Sequence, residues 1–391
     1  MRIDVKEKKE CCGCTACMAV CPRQCIRMEP DEMGFLYPVI DEDACIDCGL
    51  CAKTCKFCLS SDEALVNLSQ PSVYAVQYSD DDVLKKSQSG ACFTAISDWV
   101  LAKGGVVYGA VYKGLNFNVT HTRAESACER NAMRGSKYSQ SDLRGVFSDV
   151  RNDLKSGKWV LFTGTPCQVS GLSAYVGRAL ADKLILVDII CHGVASPVLW
   201  SDVIKYTESK YKSKVRSPKH RDKARFGWSG RTATFELEKN KVVYRPLVSI
   251  YNENVLRESC FNCRYSSLSR VGDITIGDFW GVEAVPHNIF EPVEKGVSLL
   301  LCNTPKGGDI LKDIRQGMKM LQLNVEEALQ MNLRESTKMP ETYYDFKEKY
   351  KKGFEFAMRS YGYMGWRYEV SQFLFLVKMI VKKLSSNIFK F

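Results

Sequence analysis

Eight cysteines near the N-terminus form two runs with the same spacing, in which two, two and three residues separate successive cysteines. The first run consists of Cys11, Cys14, Cys17 and Cys21, and the second of Cys45, Cys48, Cys51 and Cys55. Three thiolates spaced in this way can wrap around one 4Fe–4S cube, because the turns between them point backbone N–H groups at its sulfurs. The fourth cysteine lies about one helical turn further on and reaches another cube. The pattern therefore predicts two 4Fe–4S clusters.

The fourth cysteines predict a crossed set of ligands. The spacing assigns cluster one to Cys11, Cys14, Cys17 and Cys55, and cluster two to Cys45, Cys48, Cys51 and Cys21. Zinc also accepts four thiolates, but eight cysteines in this double pattern exceed what a zinc site requires. Pro22 follows the first run, as in bacterial ferredoxins, whereas Lys56 follows the second. Three cysteines of the segment are left without a role: Cys12, Cys25 and Cys58.

Four later cysteines predict a third cluster: Cys167, Cys191, Cys260 and Cys263. The first two each follow a predicted buried strand, and the carboxyl ends of neighbouring strands lie side by side in an α/β sheet. The Cys-x2-Cys pair at 260–263 would complete a set of four thiolates. The alternatives are that the first two cysteines are small buried residues and that the pair is half of a zinc site.

Composition and charge suggest where such a chain works. Its 391 residues predict two or three domains, and no apolar secretion signal is visible at the N-terminus. Clustered thiols are then expected to be metal or redox groups in a reducing cytoplasm. Residues 1–70 hold eight Lys or Arg against twelve Asp or Glu, although the whole chain carries +10. The basic remainder predicts an acidic ferredoxin-like electron donor or a partner redox subunit, with a solvated surface as the alternative. We find no nucleic-acid motif.

Beyond residue 66, strand and helix patterns alternate. Strand patterns cover 73–78, 106–112, 159–162 and 184–190, and helical patterns cover 91–102 and 143–154. Residues 232–237 and 242–244 form a predicted hairpin. The predicted fold is α+β and α/β multidomain, with a small ferredoxin-like dicluster domain, an α/β body with an antiparallel insertion at 228–245, and a C-terminal helical tail. The predicted domains are 1–66, 67–150, 151–335 and 336–391.

The C-terminal segment has an amphipathic pattern. No apolar run reaches the roughly 18 residues needed to span a bilayer. One helical face carries Trp366, Val370, Phe373, Leu374, Val377, Val381 and Leu384, and the other carries Arg367, Ser371, Lys378, Lys382 and Ser385. A basic helix of this kind predicts peripheral contact of residues 366–384 with the inner membrane face. The alternative, which the pattern favours, is a terminal helix packed on the body.

Short motifs follow one another along the body in a set order. They are 87–90 (SQSG), 134–138 (RGSKY), 164–168 (GTPCQ), 191–193 (CHG), 220–223 (HRDK), 227–228 (GW) and 272–281 (GDITIGDFWG). With them the body resembles the beta subunit of coenzyme F420 hydrogenase/dehydrogenase, over roughly residues 70–335. Members of that family carry FAD and a 4Fe–4S cluster, and some reduce a deazaflavin or a chlorophyll-type pigment with ferredoxin electrons. The resemblance implies a flavoprotein-like body with FAD and favours the third cluster.

The resemblance also implies where a flavin would bind. The candidate residues are Ser89, Gly90, Ala91, Ser136, Lys137, Tyr138 and Thr165. The first three precede a helix whose free N–H groups can hold a pyrophosphate. The next three would supply a hydroxyl, a charge and an aromatic edge near the isoalloxazine, and Thr165 lies in a strand-to-helix turn. Ordinary caps and turns are the alternative for all of them, and no Gly-x-Gly-x-x-Gly motif follows a strand.

These features predict an iron–sulfur flavoprotein oxidoreductase. Electrons would enter the two N-terminal clusters and pass to the third, and a flavin would deliver them to an organic acceptor, as in a coenzyme F420 reductase. No catalytic residue is assigned, and we find no hydrogen-activating metal site. Two alternatives remain open. One is a non-catalytic electron-relay subunit of a larger complex, and the other is a membrane-surface accessory protein of polysaccharide biosynthesis.

Overall fold

The computed structural model describes residues 2–57, 70–285, 289–290, 292–375 and 377. We call residues 2–57 the head, 70–335 the body and 336–377 the tail. The head consists of α1 (Ala16–Val20), β1 (Ile26–Pro30), β2 (Leu36–Ile40) and α2 (Leu50–Thr54), with β1 and β2 antiparallel. Its small core contains Ile3, Ile26 and Met28 together with cysteines. A core this small depends on what the cysteines bind.

An eight-stranded mixed sheet forms the centre of the body. In spatial order its strands are β13 (Met318–Leu323), β3 (Ser72–Tyr78), β12 (Ser298–Cys302), β11 (Ile274–Asp278), β7 (Leu184–Ile189), β6 (Val160–Gly164), β4 (Val106–Lys113) and β5 (Asn118–Ala124). The four strands from β11 to β4 are parallel, and the outer ones pair antiparallel. The parallel strands therefore bring their carboxyl ends to one edge of the sheet.

Helices connect these strands. They are α3 (Asp81–Lys85), α4 (Cys92–Ala102), α5 (Ala127–Arg130), α6 (Val146–Lys155), α7 (Pro166–Val176), α8 (Pro197–Tyr211), α9 (Lys223–Phe226), α10 (Pro305–Ile314) and α11 (Val325–Ala328). Three of them start with proline after a hydroxyl residue, namely Thr165, Ser196 or Thr304. The hydroxyl accepts a first-turn N–H, and proline fits there because its missing N–H has no helical partner. The local sequence thus sets where these helices begin.

A second sheet of three antiparallel strands carries the insertion. It consists of β8 (Val215–Lys219), β9 (Thr232–Leu237) and β10 (Val242–Pro246). The predicted hairpin is β9–β10, in which Val242 lies opposite Glu236. The added strand β8 begins the insertion earlier than predicted. The predicted fold class is confirmed, and the predicted body strands and helices coincide with β3, β4, β6, β7, α4 and α6 to within a few residues.

The tail contains α12 (Tyr343–Lys351), α13 (Phe354–Ser360) and the helical residues 366–375. Phe346 and Met358 pack with Met33 and Phe35, so the tail also covers part of the head. Within the described ranges, no helix is both long enough and apolar enough to cross a membrane. Six residues of the sequence analysis lie outside those ranges: Cys58, Lys378, Val381, Lys382, Leu384 and Ser385.

Candidate metal centres and cofactor site

Two thiol-lined cavities lie in the head, and each contains the fourth cysteine of the other run. The first is lined by Cys11, Cys14, Cys17 and Cys55, and the second by Cys45, Cys48, Cys51 and Cys21. Burial raises the pKa of Cys17 well above its ordinary value, and the nearby Cys14, Cys11 and Cys55 add to this shift. The crossed assignment requires this arrangement, and the chemistry of the thiols fits two 4Fe–4S clusters.

Both runs fold with the same turns. Gly13 and Thr15 in the first run have φ of 70° and 67°, and Asp47 and Gly49 in the second have 53° and 73°. Left-handed residues alternating with right-handed ones turn successive N–H groups to one side, which suits an anionic cluster. The Gly13 N–H already points at Cys11 Sγ, 3.4 Å away. The two runs therefore share the same pattern of left-handed residues.

The third group of cysteines converges at the carboxyl edge of the parallel strands. Cys167 lies in the first turn of α7 directly after β6, and Cys191 follows β7. Burial raises the pKa of Cys191 well above its ordinary value, with further contributions from Cys260, Cys167 and Cys263. A Cβ added to Gly193, two residues after Cys191, would lie 3.3 Å from Cys260 Cβ. Among the residues that the structure describes, no group of three or more His, Cys, Asp or Glu side chains is arranged to hold a single metal ion.

Helix α7 joins this third group to the first head cavity. Cys167 lines that cavity, and a Cβ added to Gly171 would lie 2.7 Å from Cys14 Sγ. Cys12 is 6% exposed and lines the same cavity as Cys14 and Cys167. The neighbouring thiol of Cys12 lowers the pKa of Cys167 to about 7. The first head cavity, rather than the second, therefore adjoins the third group.

Arg257 links the head to the body through hydrogen bonds. Its buried guanidinium donates hydrogen bonds to Cys11 O at 2.8 Å, Leu36 O at 2.9 Å and Gln140 Oε1 at 2.9 Å. Gln140 in turn donates to Cys12 O at 2.9 Å. Burial raises the pKa of Cys11, and the charge of Arg257 acts against that rise. One cation thus holds two head segments and favours negative charge at the first cavity.

The stretch 220–223 connects the two segments that the resemblance assigns to a flavin. Arg221 Nη1 donates to Tyr138 OH at 3.4 Å, and Lys223 Nζ donates to Ser89 O at 3.1 Å. The same stretch contains His220, whose ring stacks on Trp200 with centroids 3.9 Å apart. Sequence reasoning noted this motif in the resemblance but gave it no role, because its partners lie about 80 and 130 residues away in the chain.

Two buried donors without partners among the described residues, and one lysine that already has three carbonyl partners, lie at these segments. Lys137 Nζ donates to the carbonyls of residues 133–135 at 3.0 to 3.2 Å, and burial lowers its pKa to about 7. Within the described ranges, buried Gln88 Nε2 and Ser139 Oγ have no hydrogen-bond partner. A flavin phosphate could accept from such donors. Half-buried Ser136 precedes Lys137.

The other predicted flavin residues also have local structural roles. Ala91 has φ of 68° and stands at the N-cap of α4. Gly90 packs so tightly on the sheet that a Cβ would lie 2.1 Å from Val76 O. Thr165 caps α7, and its Oγ1 is 3.2 Å from Cys167 Sγ. The structure therefore places Thr165 beside Cys167 of the third thiol group.

A stacked tryptophan pair, missed by sequence reasoning, flanks this region. The rings of Trp228 and Trp280 are 5.2 Å apart and nearly parallel, and Trp280 is 43% exposed. Asp278 accepts from Trp228 Nε1 at 2.8 Å and pairs with Arg221 at 2.6 Å. Both tryptophans stand in stretches that the resemblance included, but only the folded chain brings them together.

The comparisons with known proteins agree with this arrangement. Residues 10–58 match the 4Fe–4S dicluster domain family, so the chain is an iron–sulfur protein of the electron-transfer class. Residues 157–327 match the family described as the C terminus of the coenzyme F420 hydrogenase/dehydrogenase beta subunit. The chain thus carries a segment that matches the dicluster family and a second segment that matches this beta-subunit family, and the resemblance predicted from the sequence is confirmed.

One solved structure also matches this chain in a structural comparison. It comes from the xenon-derivatized F420-reducing NiFe hydrogenase complex of Methanosarcina barkeri, with 19% identity and a TM-score of 0.48. The match covers 75% of this chain and 97% of that one. The comparison with curated proteins returned no match.

Proposed function

We propose that this chain is an iron–sulfur flavoprotein oxidoreductase that passes electrons from a redox partner to an organic acceptor of the coenzyme F420 kind. The observation that carries the proposal is that the first head cavity is lined by Cys11, Cys14, Cys17 and Cys55 together with Cys167 of the third thiol group, which joins the head to the body. A bound flavin would supply the change from single electrons to an electron pair. The chain itself would hold the clusters and set their potentials by burial and charge.

Two tyrosines fill the space between the third thiol group and the proposed flavin region. Tyr251 OH donates to Gly193 O at 3.0 Å, two residues from Cys191, and its ring is 4.3 Å from that of Tyr138. Tyr138 in turn contacts Arg221. This packed pair would exclude water and shorten the path for electrons. We assign it a positioning role.

The acceptor would bind on the exposed ring of Trp280. The ring is backed by Trp228, and the guanidinium carbons of Arg221 and Arg231 lie 5.4 and 5.8 Å from its centroid. Such a surface suits a planar molecule with negative charge. We also propose the domain boundaries predicted from the sequence and a cytoplasmic location with a partner redox subunit.

Quantifying the cofactors of one anaerobic preparation tests the proposal. We expect about twelve iron and twelve sulfide per chain, because three 4Fe–4S clusters contain that number, with one flavin. Protein purified without oxygen would be assayed for iron, sulfide, zinc and flavin together. Zinc in place of iron would refute the cluster assignment. Full iron content with no flavin would instead favour the relay-subunit alternative.

Flavin binding should weaken as the pH rises, because Lys137 loses its charge. Burial lowers the Lys137 pKa to about 7, below the ordinary 10.5, so the free folded protein disfavours the cation and a bound anion restores it. The affinity for FAD should fall about tenfold between pH 6 and 8.5. Fluorescence titration would measure this fall, and Lys137→Met should remove it. The exposed Lys312→Met should keep it, and an unchanged profile in Lys137→Met would contradict the assignment.

The tail suggests an additional role at a membrane surface. Helical residues 366–375 contact the body through Glu369, which pairs with Lys210 at 2.5 Å, and through Tyr368 beside Arg245. Trp366, Val370, Phe373 and Leu374 are all at least half exposed, so the apolar face is turned outward. Residues 378–391 add four lysines and no acid. We propose that this face rests on anionic lipid.

Placing a charge on the apolar face should remove most of the lipid binding. Phe373→Asp places a charge where the apolar face would enter the headgroups, and we expect most vesicle binding to be lost. Flotation with phosphatidylglycerol vesicles would measure it, with phosphatidylcholine vesicles as the comparison. Leu115→Asp, at an exposed leucine of the body, is the matched control. Equal flotation of the wild type and the variant truncated after residue 365 would refute the role.

A further inference from the structure

The two head cavities differ in what covers them. The first is bordered by body residues, including Cys167, Gly171 and Tyr265. Among the residues that the structure describes, the second is bordered by head residues alone, and its Cys48 is exposed. Electron transfer slows steeply with distance, so a protein partner exchanges electrons through the cluster that it can approach. Given the proposed function, on which this inference rests, that cluster is the one in the second cavity.

The rim of the second cavity combines apolar and acidic side chains. Ile46 is 61% exposed and Leu50 is 40% exposed, and both line the cavity beside Cys48. Asp47 lines the cavity as well, and it belongs to the segment 41–50, which has no base. The segment's other three acids lie just before the cavity residues in the chain, and all four acids are exposed: Asp41, Glu42, Asp43 and Asp47. An exposed apolar centre with a charged rim is typical of transient redox interfaces.

Basic residues also lie near this rim, but they do not neutralise all of its acids. Arg2 and Arg23 line the cavity, and Arg2 is paired with Glu42 at 2.6 Å. Lys53 is exposed on α2. The four acids fall within 41–47, next to Ile46 in the chain, whereas Arg23 follows the first run of cysteines. Pairing of Arg2 leaves Asp43 and Asp47 as charges available to a partner.

We propose that the surface formed by Ile46, Leu50, Asp43 and Asp47 is where this protein exchanges electrons with its partner, and that the partner presents a basic rim around an apolar centre. This differs from the acidic donor that net charge predicts, because the charge of the body does not describe the charge around Cys48. In the exchange, one electron passes between the cluster behind Cys48 and the partner's redox centre. No proton or bond changes are needed.

Electron exchange with two redox proteins of opposite charge tests this inference. The dithionite-reduced, desalted protein would be mixed with an oxidised basic c-type cytochrome, which takes up one electron per haem, or with an oxidised acidic ferredoxin. The cytochrome rate should fall on the order of tenfold from low to high salt, because the attraction is screened. Asp43→Lys with Asp47→Asn should lower the low-salt rate by a similar factor. Asparagine is chosen because residue 47 has φ of 53°.

Controls separate docking from the integrity of the clusters. Ile46→Ala with Leu50→Ala should slow the cytochrome several-fold at any salt concentration, and Leu115→Ala with Asp309→Lys, on the body, should leave the rate unchanged. Faster exchange with the acidic ferredoxin, or equal losses in the body control, would overturn the inference. Iron content and reduction by dithionite are measured on every variant. Wild-type protein without clusters would refute the proposed function, whereas intact clusters with unchanged cytochrome rates would refute only the docking surface.

Discussion

Replacing Arg257 by methionine should loosen the head from the body and lower the potential of the cluster beside it. The guanidinium makes three hydrogen bonds, two of them to head carbonyls, and each bond from a charged donor contributes about 1.5–3 kcal/mol. Methionine would leave Cys11 O and Leu36 O buried without partners. We expect the head to lose at least about 3 kcal/mol of its stability in the docked position.

Hydrogen exchange and redox titration measure the two effects separately. Amides of β1 and β2 should exchange faster in the variant, and EPR-monitored titration should show a cluster potential lower on the order of 50–100 mV, since a nearby cation stabilises the reduced cluster. Arg257→Lys keeps the charge but makes fewer hydrogen bonds. Its cluster potential should therefore be close to that of the wild type, whereas the amides of β1 and β2 should exchange nearly as fast as in Arg257→Met. If amide exchange and the cluster potential are both unchanged in Arg257→Met, then Arg257 neither holds the head on the body nor raises the potential of the cluster.

Removing Cys260 and Cys263 together should cost the protein one whole cluster. Two of the four proposed thiolates disappear, and two remaining cysteines cannot hold a 4Fe–4S cube, so iron should fall from about twelve to about eight per chain. The double alanine variant would be assayed for iron and sulfide after anaerobic purification. The EPR signals of the head clusters should persist, because their eight cysteines are untouched.

A matched variant shows whether the loss is specific. Cys128 is exposed and lies in α5, and Cys302 lies at the end of β12, so Cys128→Ala with Cys302→Ala also removes two thiols. Its iron content should equal that of the wild type. Twelve irons in the Cys260/Cys263 variant would show that these cysteines are not ligands. Loss of all iron would show that the variant has a wider folding defect.

The proposed relay through the third thiol group would also account for the close packing at α7. Gly171 lets the helix approach Cys14 more closely than any side chain would allow, and Cys12 fills the remaining space. The same cysteine was left without a role when the sequence was considered alone. Its neighbours Cys11 and Cys14 dominate the local pattern, and only the arrival of Cys167 from the body shows what Cys12 contacts.

Much of the body was predictable because its signals are local. Buried runs such as 184–189 and hydroxyl–proline starts such as Thr165–Pro166 predict elements within a few residues. The sheet order was not predictable, since β3 lies between β12 and β13, which follow it by more than 200 residues. Strand β5 was missed for a related reason. Its residues alternate only partly, and pairing with β4 decides its place at the edge.

The two cysteine runs of the head could be recognised from the sequence, because the spacing of Cys11 to Cys21 and of Cys45 to Cys55 sets turns only a few residues long. The sequence also determined the strand and helix patterns, and through its motifs the family. The tertiary structure alone decided which cavity adjoins the body, how 220–223 connects the segments that contain Tyr138 and Ser89, and that the apolar face of 366–375 points outward. Those features depend on contacts between residues far apart in the chain. Packing and buried hydrogen bonds, rather than local spacing, decide which residues come into contact.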